Sequence, residues 1–293
     1  MAWSKTPLLF EAIGTKWQID LPDGLLVSRQ EKLLIDIKNR IDIFDHNYSR
    51  FRDDSLVTAI SKKAGKYRLP PDAQPLFEIY ENLYRITNGL VTPLIGDVLV
   101  AAGYDKNYSL KPGKLSSPLA WDEVLERQGD LLIIKKPTVL DFGAAGKGYL
   151  IDIVAELIRK AGITSFCVDA GGDMAYYDNE ERLRVGLEHP LNSTEVIGIT
   201  TIRNQSLCGS AGNRRMWDKF HHIINPKTLE SVKEILAVWT IAPITLLADA
   251  LTTALFFTDA SVLQAEYQFE YLLVRSDLTV EKSEGFPVEL FKA

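Results

Sequence analysis

The chain contains 293 residues, of which 46% are hydrophobic and 25% charged, and 33 Lys and Arg against 39 Asp and Glu give a net charge of −6. Nucleic-acid binding needs clustered basic side chains, and this sequence has no such cluster, so a nucleic-acid partner is not expected. The two cysteines, Cys167 and Cys208, are too few for a disulfide framework and are expected to be buried thiols.

The sequence shows no pattern typical of export or membrane insertion. Pro7, Glu11 and Lys16 interrupt the first apolar residues before the core of a signal peptide could form. No stretch approaches the roughly 20 apolar residues of a membrane span. We therefore expect a cytoplasmic protein without a membrane span.

The first half of the chain predicts mainly helices, which follow a short pair of strands at 10–20 and 25–28. Ser28 and Glu31 have the form of a capping box, and apolar residues then recur at helical spacing. The predicted helices cover 28–45, 55–64 and 70–89. The polar segment 103–118 is predicted to be a surface loop.

The second half alternates predicted strands and helices. Gly162 and Pro243 mark the end of one helix and the start of another. The predicted strands cover 131–134, 138–140, 165–169, 183–188, 196–202 and 236–242, with a last pair within 270–291. This alternation indicates a fold that contains both sheets and helices.

The segment from Asp141 to Gly148 is the first candidate for chemistry. It places small residues and Lys147 where a strand is predicted to lead into a helix, and the free amides of a helix start favour anions. A Walker A loop does not fit, because residue 141 is Asp and residue 148 is Gly. A phosphate-bearing ligand and a tight turn with a solvated lysine both remain open.

The second candidate is a group of oxygen ligands on a predicted helix. Asp249, Thr252 and Thr253 lie at positions i, i+3 and i+4, so that they share one helical face. Such ligands suit Mg²⁺, which takes few carboxylates together with waters and substrate phosphates. The alternative is that the threonines bond backbone carbonyls within the helix.

The third candidate is the pair His221 and His222. Adjacent residues of a strand point to opposite faces, so at most one of the two is expected to enter a given pocket. Zinc is not expected, because no second histidine or cysteine stands at ligand spacing. A histidine that binds a ligand or transfers a proton and a satisfied core histidine both remain open.

In chain order these clusters resemble the ApbE family of FAD:protein FMN transferases, from about residue 10 to 260. Each motif is weak alone, but their order and spacing are specific. The matching segments are Ile13-Gly14-Thr15, Ser49-Arg50-Phe51 with Asp54-Ser55, Gly89 to Pro93 with Gly96, Asp141 to Asp152, Ala170 to Asp173, His222 to Pro226, and Ala248 to Leu255.

The resemblance implies an α+β fold of the ApbE type, T-fold-like, with mixed or antiparallel sheets packed with helices in one globular unit over 1–293. It implies Mg²⁺-dependent transfer of FMN from FAD to a threonine hydroxyl of an acceptor flavoprotein, with release of AMP. Hydrolysis of FAD to FMN and AMP, and a protein that binds FAD without catalysis, are the alternatives.

The resemblance also assigns roles to individual residues. His222 and Asp249 are the candidates for catalysis. The implied metal ligands are Ala144 through its backbone carbonyl, Asp249, Thr252 and Thr253. The implied FAD contacts are Ile13, Phe51, Leu90, Val91, Thr92, Asp141, Lys147, His222 and Ile223.

Three positions depart from the family pattern. Thr92 and Asn225 stand where the family usually has Asp, and Leu56 stands where Glu is common. Two carboxylates are therefore missing near the expected cofactor, which is expected to weaken metal binding or change how the flavin is held.

Overall fold

The computed structural model describes residues 6–214 and 216–291, so the ends of the predicted unit 1–293 lie outside the described residues. The helices are α1 (Val27–Tyr48), α2 (Leu56–Lys62), α3 (Ala73–Ile86), α4 (Gly96–Ala101), α5 (Trp121–Val124), α6 (Gly146–Lys160), α7 (Thr245–Ala254) and α8 (Ala260–Gln264). Two short 3₁₀ turns cover Pro93–Ile95 and Gly212–Arg214.

The strands of the first half and centre are β1 (Leu8–Ala12), β2 (Thr15–Asp20), β3 (Gly65–Arg68), β4 (Leu125–Gln128), β5 (Leu131–Ile134), β6 (Phe166–Ala170), β7 (Asp173–Tyr177) and β8 (Leu183–His189). Those that follow are β9 (Asn192–Ile202), β10 (Gln205–Ala211), β11 (Met216–Trp217), β12 (Phe220–His221), β13 (Ile235–Ala242), β14 (Glu270–Arg275), β15 (Val280–Lys282) and β16 (Val288–Leu290).

The central sheet has eight strands in the order β1-β2-β6-β7-β10-β13-β14-β15. A three-stranded sheet has the order β16-β9-β8, another has the order β3-β5-β4, and β11 pairs with β12. Neighbouring strands are antiparallel throughout the described sheets. The predicted α+β class is therefore confirmed.

Helices cover one face of the central sheet and form the main core. Helices α6 and α7 pack on β6, β7, β10 and β13, while α1 packs on α6 and α3 packs on α7. The largest side chains that are fully buried here include Trp17, Ile37, Leu76, Phe77, Tyr80 and Phe166. Burial of each such side chain contributes about 1.5–3 kcal/mol relative to exposure.

The opposite face of the central sheet packs on the sheet of β8, β9 and β16. Because strand side chains alternate, Met174 and Leu207 point to this second core while their neighbours Ala175 and Cys208 point to the main one. Leu187 of β8 completes the second core from the facing sheet. The central sheet is therefore buried on both faces.

The start of α1 differs from the prediction. The helix begins at Val27 after Leu26, with no side-chain cap, so Ser28 and Glu31 do not form the expected capping box. The Arg29 and Gln30 amides both donate to the Leu26 carbonyl, at 3.0 and 3.1 Å. The predicted strand at 25–28 is therefore wrong, because its residues already enter the first helical turn.

The predicted strand at 138–140 is also wrong. This segment is irregular, and its contacts position Asp141, the next residue of the chain. The Thr138 hydroxyl and the Val139 amide both donate to the Asp97 carboxylate, at 2.9 and 3.2 Å. The Asp141 amide then donates to the Pro93 carbonyl at 2.8 Å. A side chain of α4, rather than a neighbouring strand, holds this segment.

Most of the other predicted elements are present, but β3, β4, β7 and β10 were not predicted, and the predicted last pair of strands is three strands, β14, β15 and β16. Ser55 caps α2 by accepting a hydrogen bond from the Thr58 amide at 3.0 Å, and Gly89 and Gly162 have the left-handed φ values of 81° and 78°. Within the described residues, no helix is both long and apolar enough to cross a membrane.

Gly148 determines how closely α6 and α7 approach. A Cβ atom at this position would lie 2.5 Å from Asp249 Cβ and would overlap the backbone carbonyl of Thr245. We expect Gly148→Ala to lower the free energy of unfolding by about 1–3 kcal/mol, because overpacking forces the helices apart.

Chemical denaturation measures this change, and Gly146→Ala is the matched control. A Cβ at Gly146 meets Phe142 Cβ at 3.5 Å, an ordinary contact, so this variant should be as stable as the parent or slightly more stable. Equal unfolding free energies for the two variants would contradict the assignment of Gly148 to the helix crossing.

Candidate active site

A cavity of about 600 Å³ collects the residues that the sequence analysis selected. Its wall draws on the β1–β2 turn, the segments before α2 and α4, the start of α6, the end of β12 and helix α7. The predicted residues that line it are Ile13, Phe51, Leu90, Val91, Thr92, Asp141, Ala144, Lys147, His222, Ile223, Asp249 and Thr253. Thr252 is the one predicted residue that the structure does not bring to this wall.

Ile13 reaches the cavity from a tight hairpin turn. Ala12 pairs with Thr15, and the two residues between them have φ values of 45° for Ile13 and 74° for Gly14. Such a two-residue turn matches the twist of the flanking strands. A β-branched residue is strained in this region, and strain of this kind concentrates at functional sites.

Asp249 is held at the cavity by contacts with two other parts of the fold. Its carboxylate accepts a hydrogen bond from the Gly148 amide at 2.7 Å, and the residue is 4% exposed. The first amides of α7, those of Thr245 and Leu246, donate to the Asp152 carboxylate at 2.8 and 2.7 Å. Asp152 therefore fixes the start of the helix that carries Asp249 and Thr253.

The Asp152 carboxyl is half-buried between α6 and α7. Burial raises the pKa of Asp152, and the bonds from the Leu246 and Thr245 amides act in the opposite direction. Asp152 belongs to the motif that resembles the family signature, but the resemblance assigns it no role. The structure shows that it is a positioning residue, since it contacts the start of α7 rather than the cavity.

Ala144 offers a backbone carbonyl to the same region. Its amide donates to the Tyr80 hydroxyl at 3.2 Å, which fixes this peptide. The Gly148 amide, which would ordinarily bond this carbonyl in a helix, bonds Asp249 instead. Within the described part of the chain, no hydrogen-bond donor is directed at the Ala144 carbonyl.

The oxygen donors on this wall fit Mg²⁺. Asp249, Thr253 and Ala144 line the cavity and can offer a carboxylate, a hydroxyl and a carbonyl, which are hard ligands that would hold Mg²⁺ together with waters and phosphate oxygens. Across residues 6–214 and 216–291, no group of three or more His, Cys, Asp or Glu side chains could hold a metal ion. A cation here would therefore depend on the backbone, a hydroxyl and the ligand itself.

Thr252 was predicted to be a metal ligand, but its side chain does not face the cavity. Its side chain is fully buried, its hydroxyl donates to the Asp249 carbonyl at 2.7 Å, and it lies 2.8 Å from the Ser210 hydroxyl. The position at i+3 faces β10, while Thr253 at i+4 faces the cavity. Thr252 thus holds α7 against the sheet and bonds a backbone carbonyl.

Lys147 is paired rather than solvated. Its ammonium forms an ion pair with Asp173, which is 2% exposed, and the other Asp173 oxygen accepts the Gly209 amide at 2.9 Å. This pair ties the first turn of α6 to β7 and β10 and holds the lysine at the cavity wall. The tight turn with a solvated lysine is therefore excluded.

The cavity wall is acidic. Its carboxylates are Asp141, Asp169, Glu188 and Asp249, and Lys147 is the basic residue among the described lining residues. Burial raises the pKa of Asp169, whereas the Gly172 amide and Lys147 favour its ionised form. A phosphate-bearing ligand in this cavity would therefore gain from a divalent cation.

Arg50 is a residue of this site that the sequence analysis quoted but did not select. Its side chain is 3% exposed, its Nε–H donates to the Asp141 carboxylate, and its Nη1–H donates to the Tyr104 carbonyl at 2.7 Å. The guanidinium lies 4.1 Å from the centroid of the Phe51 ring, a cation–π contact. Arg50 therefore orients two residues of the wall from behind.

The two histidines behave as the strand pattern predicted. His221 is buried, donates through Nε2–H to the Val232 carbonyl at 2.7 Å and accepts the Ile223 amide at Nδ1 at 3.2 Å. Burial lowers the pKa of His221. His222 lines the cavity, so one member of the pair is structural and the other belongs to the candidate site.

The departures at 92 and 225 preserve local structure. The Thr92 hydroxyl accepts the Leu94 amide at 3.2 Å, and the Asn225 side chain accepts the Lys227 and Thr228 amides at 2.9 and 3.1 Å. An aspartate at either position would accept the same bonds. Thr92 alone lines the cavity, so of the two departures it alone changes the charge of the wall.

The buried pair of Arg50 and Asp141 should be energetically coupled. Removing one partner leaves an uncompensated buried charge, so we expect Arg50→Met to lower the free energy of unfolding by about 3–5 kcal/mol. Asp141→Asn should also destabilise the protein. The double variant should lose at least about 1 kcal/mol less than the sum of the two single losses. Denaturant unfolding of all four proteins measures this coupling, and strict additivity would contradict it.

Comparisons with known proteins identify the family of this chain. The ApbE family model matches residues 13–270. The FAD:protein FMN transferase of Salmonella typhimurium is 22% identical over 94% of this chain and 84% of the relative. That of Haemophilus influenzae is 27% identical over 91% of this chain and 86% of the relative.

Solved structures show the same fold. The flavin transferase ApbE from Vibrio cholerae superposes with a TM-score of 0.78 at 17% identity, covering 96% of this chain and 97% of its own. The ApbE protein from Thermotoga maritima gives a TM-score of 0.80 at 20% identity, covering 95% and 97%. With a family model that spans most of its length and a shared fold, this chain belongs to the ApbE family.

Proposed function

We propose that this protein transfers FMN from FAD to a threonine hydroxyl of an acceptor flavoprotein, in a Mg²⁺-dependent reaction that releases AMP. The observation that carries this proposal is that Asp249, Thr253, Ala144 and Lys147 all line one cavity. The relatives that match most of the chain are FAD:protein FMN transferases, which supports it.

The remainder of the wall suits a flavin dinucleotide. Ile13, Phe51, Leu90 and Val91 supply an apolar surface for a planar ring, and the Phe51 ring is held by the Arg50 guanidinium behind it. The cavity volume of about 600 Å³ falls within the range of small-molecule sites, about 300–1,000 Å³. Lys147 and the start of α6 would lie beside the diphosphate. Because Lys147 is paired with Asp173 and the amides of Ala144, Gly146 and Gly148 are already bonded, a divalent cation would have to balance most of the diphosphate charge.

The chemistry follows from these positions. The threonine oxygen forms a bond to the FMN phosphorus, the bond from that phosphorus to the AMP oxygen breaks, and AMP leaves with the electron pair. The hydroxyl proton must be removed, and His222 on the cavity wall is the proposed base. A Mg²⁺ ion held by the oxygen donors would neutralise charge on the diphosphate as the phosphorus is attacked.

Asp249→Asn is the sharpest test of the proposed reaction, because an amide oxygen can still accept the Gly148 amide while the charge is lost. AMP release from FAD in the presence of Mg²⁺ and candidate acceptor flavoproteins should fall at least about tenfold to a hundredfold, the range for losing a metal-site contact. EDTA should have the same effect on the parent protein. In-gel flavin fluorescence should show covalent flavin on the acceptor.

Thr253→Val and Thr253→Ser form a matched pair, since valine removes the hydroxyl at equal volume and serine keeps it. Valine alone should reduce transfer. AMP release without a labelled acceptor would replace the proposal with FAD hydrolysis, in which water is the nucleophile. Binding of FAD without any AMP release would instead show a binding protein that lacks catalysis.

A further inference from the structure

Strand β8 forms part of the cavity wall in an unusual way. Four consecutive residues line the cavity: Val185, Gly186, Leu187 and Glu188. Val185 and Leu187 face the second core, and the register shifts on either side of Glu188. Gly186 has no side chain, so it borders the cavity through its backbone, and the cavity reaches the edge of β8 as well as its inner face.

This edge has no partner strand in the part of the chain that the structure describes. β8 is the outer strand of the sheet β16-β9-β8, and its pairing with β9 is antiparallel, with register shifts on either side of Glu188. The open side of an outer strand presents backbone amides and carbonyls that another extended chain can bond. Here those groups border a cavity that also contains the proposed reaction centre.

The register shows which groups point outward. The Phe291 amide donates to the Ile197 carbonyl at 2.9 Å, so Ile197 directs its backbone toward β16. Since this direction alternates along β9, Thr200 directs its backbone toward β8, where its partner is Val185. Val185 therefore bonds β9, and the next residue, Gly186, directs its amide and carbonyl to the open edge.

We propose that the edge of β8 binds an extended segment of the acceptor protein as an added strand, which presents its target threonine to the cavity. This inference rests on the proposed function. None of the predicted FAD contacts belongs to β8, although β8 lines the same cavity. Main-chain pairing is also the recognition that an open strand edge provides.

The side chains beside the edge restrict the occupant further. Leu187, Leu207 and Trp239 contribute an apolar wall from the second core. An added strand would turn every second side chain toward that wall, so the threonine and its alternate neighbours must be small or apolar. The acceptor segment is therefore expected to be a linear stretch recognised mainly through its backbone.

Gly186→Pro and Gly186→Ala test the outward amide. Both add a Cβ, which meets Val196 Cγ1 at 3.0 Å, but only proline removes the N–H. The probes are short peptides with a central threonine, recovered from a displayed library by covalent flavin fluorescence after reaction with the parent protein, FAD and Mg²⁺. The proline variant should label such a peptide about tenfold more slowly, at limiting peptide, than the alanine variant.

Binding of FAD to both variants is measured by titration with flavin fluorescence as the signal. A variant that has not folded would fail to bind FAD. Equal labelling by two folded variants would overturn the proposal. If Gly186→Pro does not fold, N-methylation of each peptide bond of the labelled peptide replaces it. Strand addition predicts about tenfold losses at every second position, and losses without this period would overturn the proposal.

The outcomes also separate this inference from the proposed function. If an intact flavoprotein acceptor is labelled but no linear peptide from the library is, strand addition is contradicted and FMN transfer is still supported. AMP release with no labelled protein or peptide of any kind would remove both.

Discussion

The hydrogen bond from the Gly148 amide to the Asp249 carboxylate joins the two helices on which the candidate site depends. Residue 148 must lack a side chain, because a Cβ would overlap the backbone of α7. The same bond diverts this amide from the Ala144 carbonyl, which receives no donor from the described residues. The crossing of α6 and α7 thus positions the Asp249 carboxylate and leaves the Ala144 carbonyl available. These two groups would bind the same cation.

Charge imposes the second constraint. The site is proposed to bind an anionic dinucleotide, although the chain is acidic and its cavity carries several carboxylates. The two cations nearest the wall are already committed, Lys147 to Asp173 and Arg50 to Asp141. Buried charges require such partners, so these pairs hold the wall in place rather than supply free positive charge. A divalent ion held by oxygen donors resolves the conflict locally.

Local patterns predicted the elements well and failed where a distant side chain intervened. The apolar spacing of α1, α3, α6 and α7 and the predicted strands at 131–134, 165–169, 183–188, 196–202 and 236–242 agree with the structure, whereas β7 and β10 were not predicted. The segment 138–140 reads as a strand, yet Asp97 of α4 bonds it. Thr252 and Thr253 look equivalent by helical spacing, but one helical step of about 100° turns Thr252 to β10 and Thr253 to the cavity.

The sequence by itself determined the acidic composition, the helical and strand periods, and the ordered motifs whose selected residues, except Thr252, line the cavity. These signals are local, since each depends on residues within a few positions of one another. Only the tertiary structure decided the Arg50–Asp141 and Lys147–Asp173 pairs, the capping of α7 by Asp152 and the open edge of β8. Contacts between residues far apart in the chain leave no periodic pattern, and a strand becomes an edge only when the whole sheet has formed.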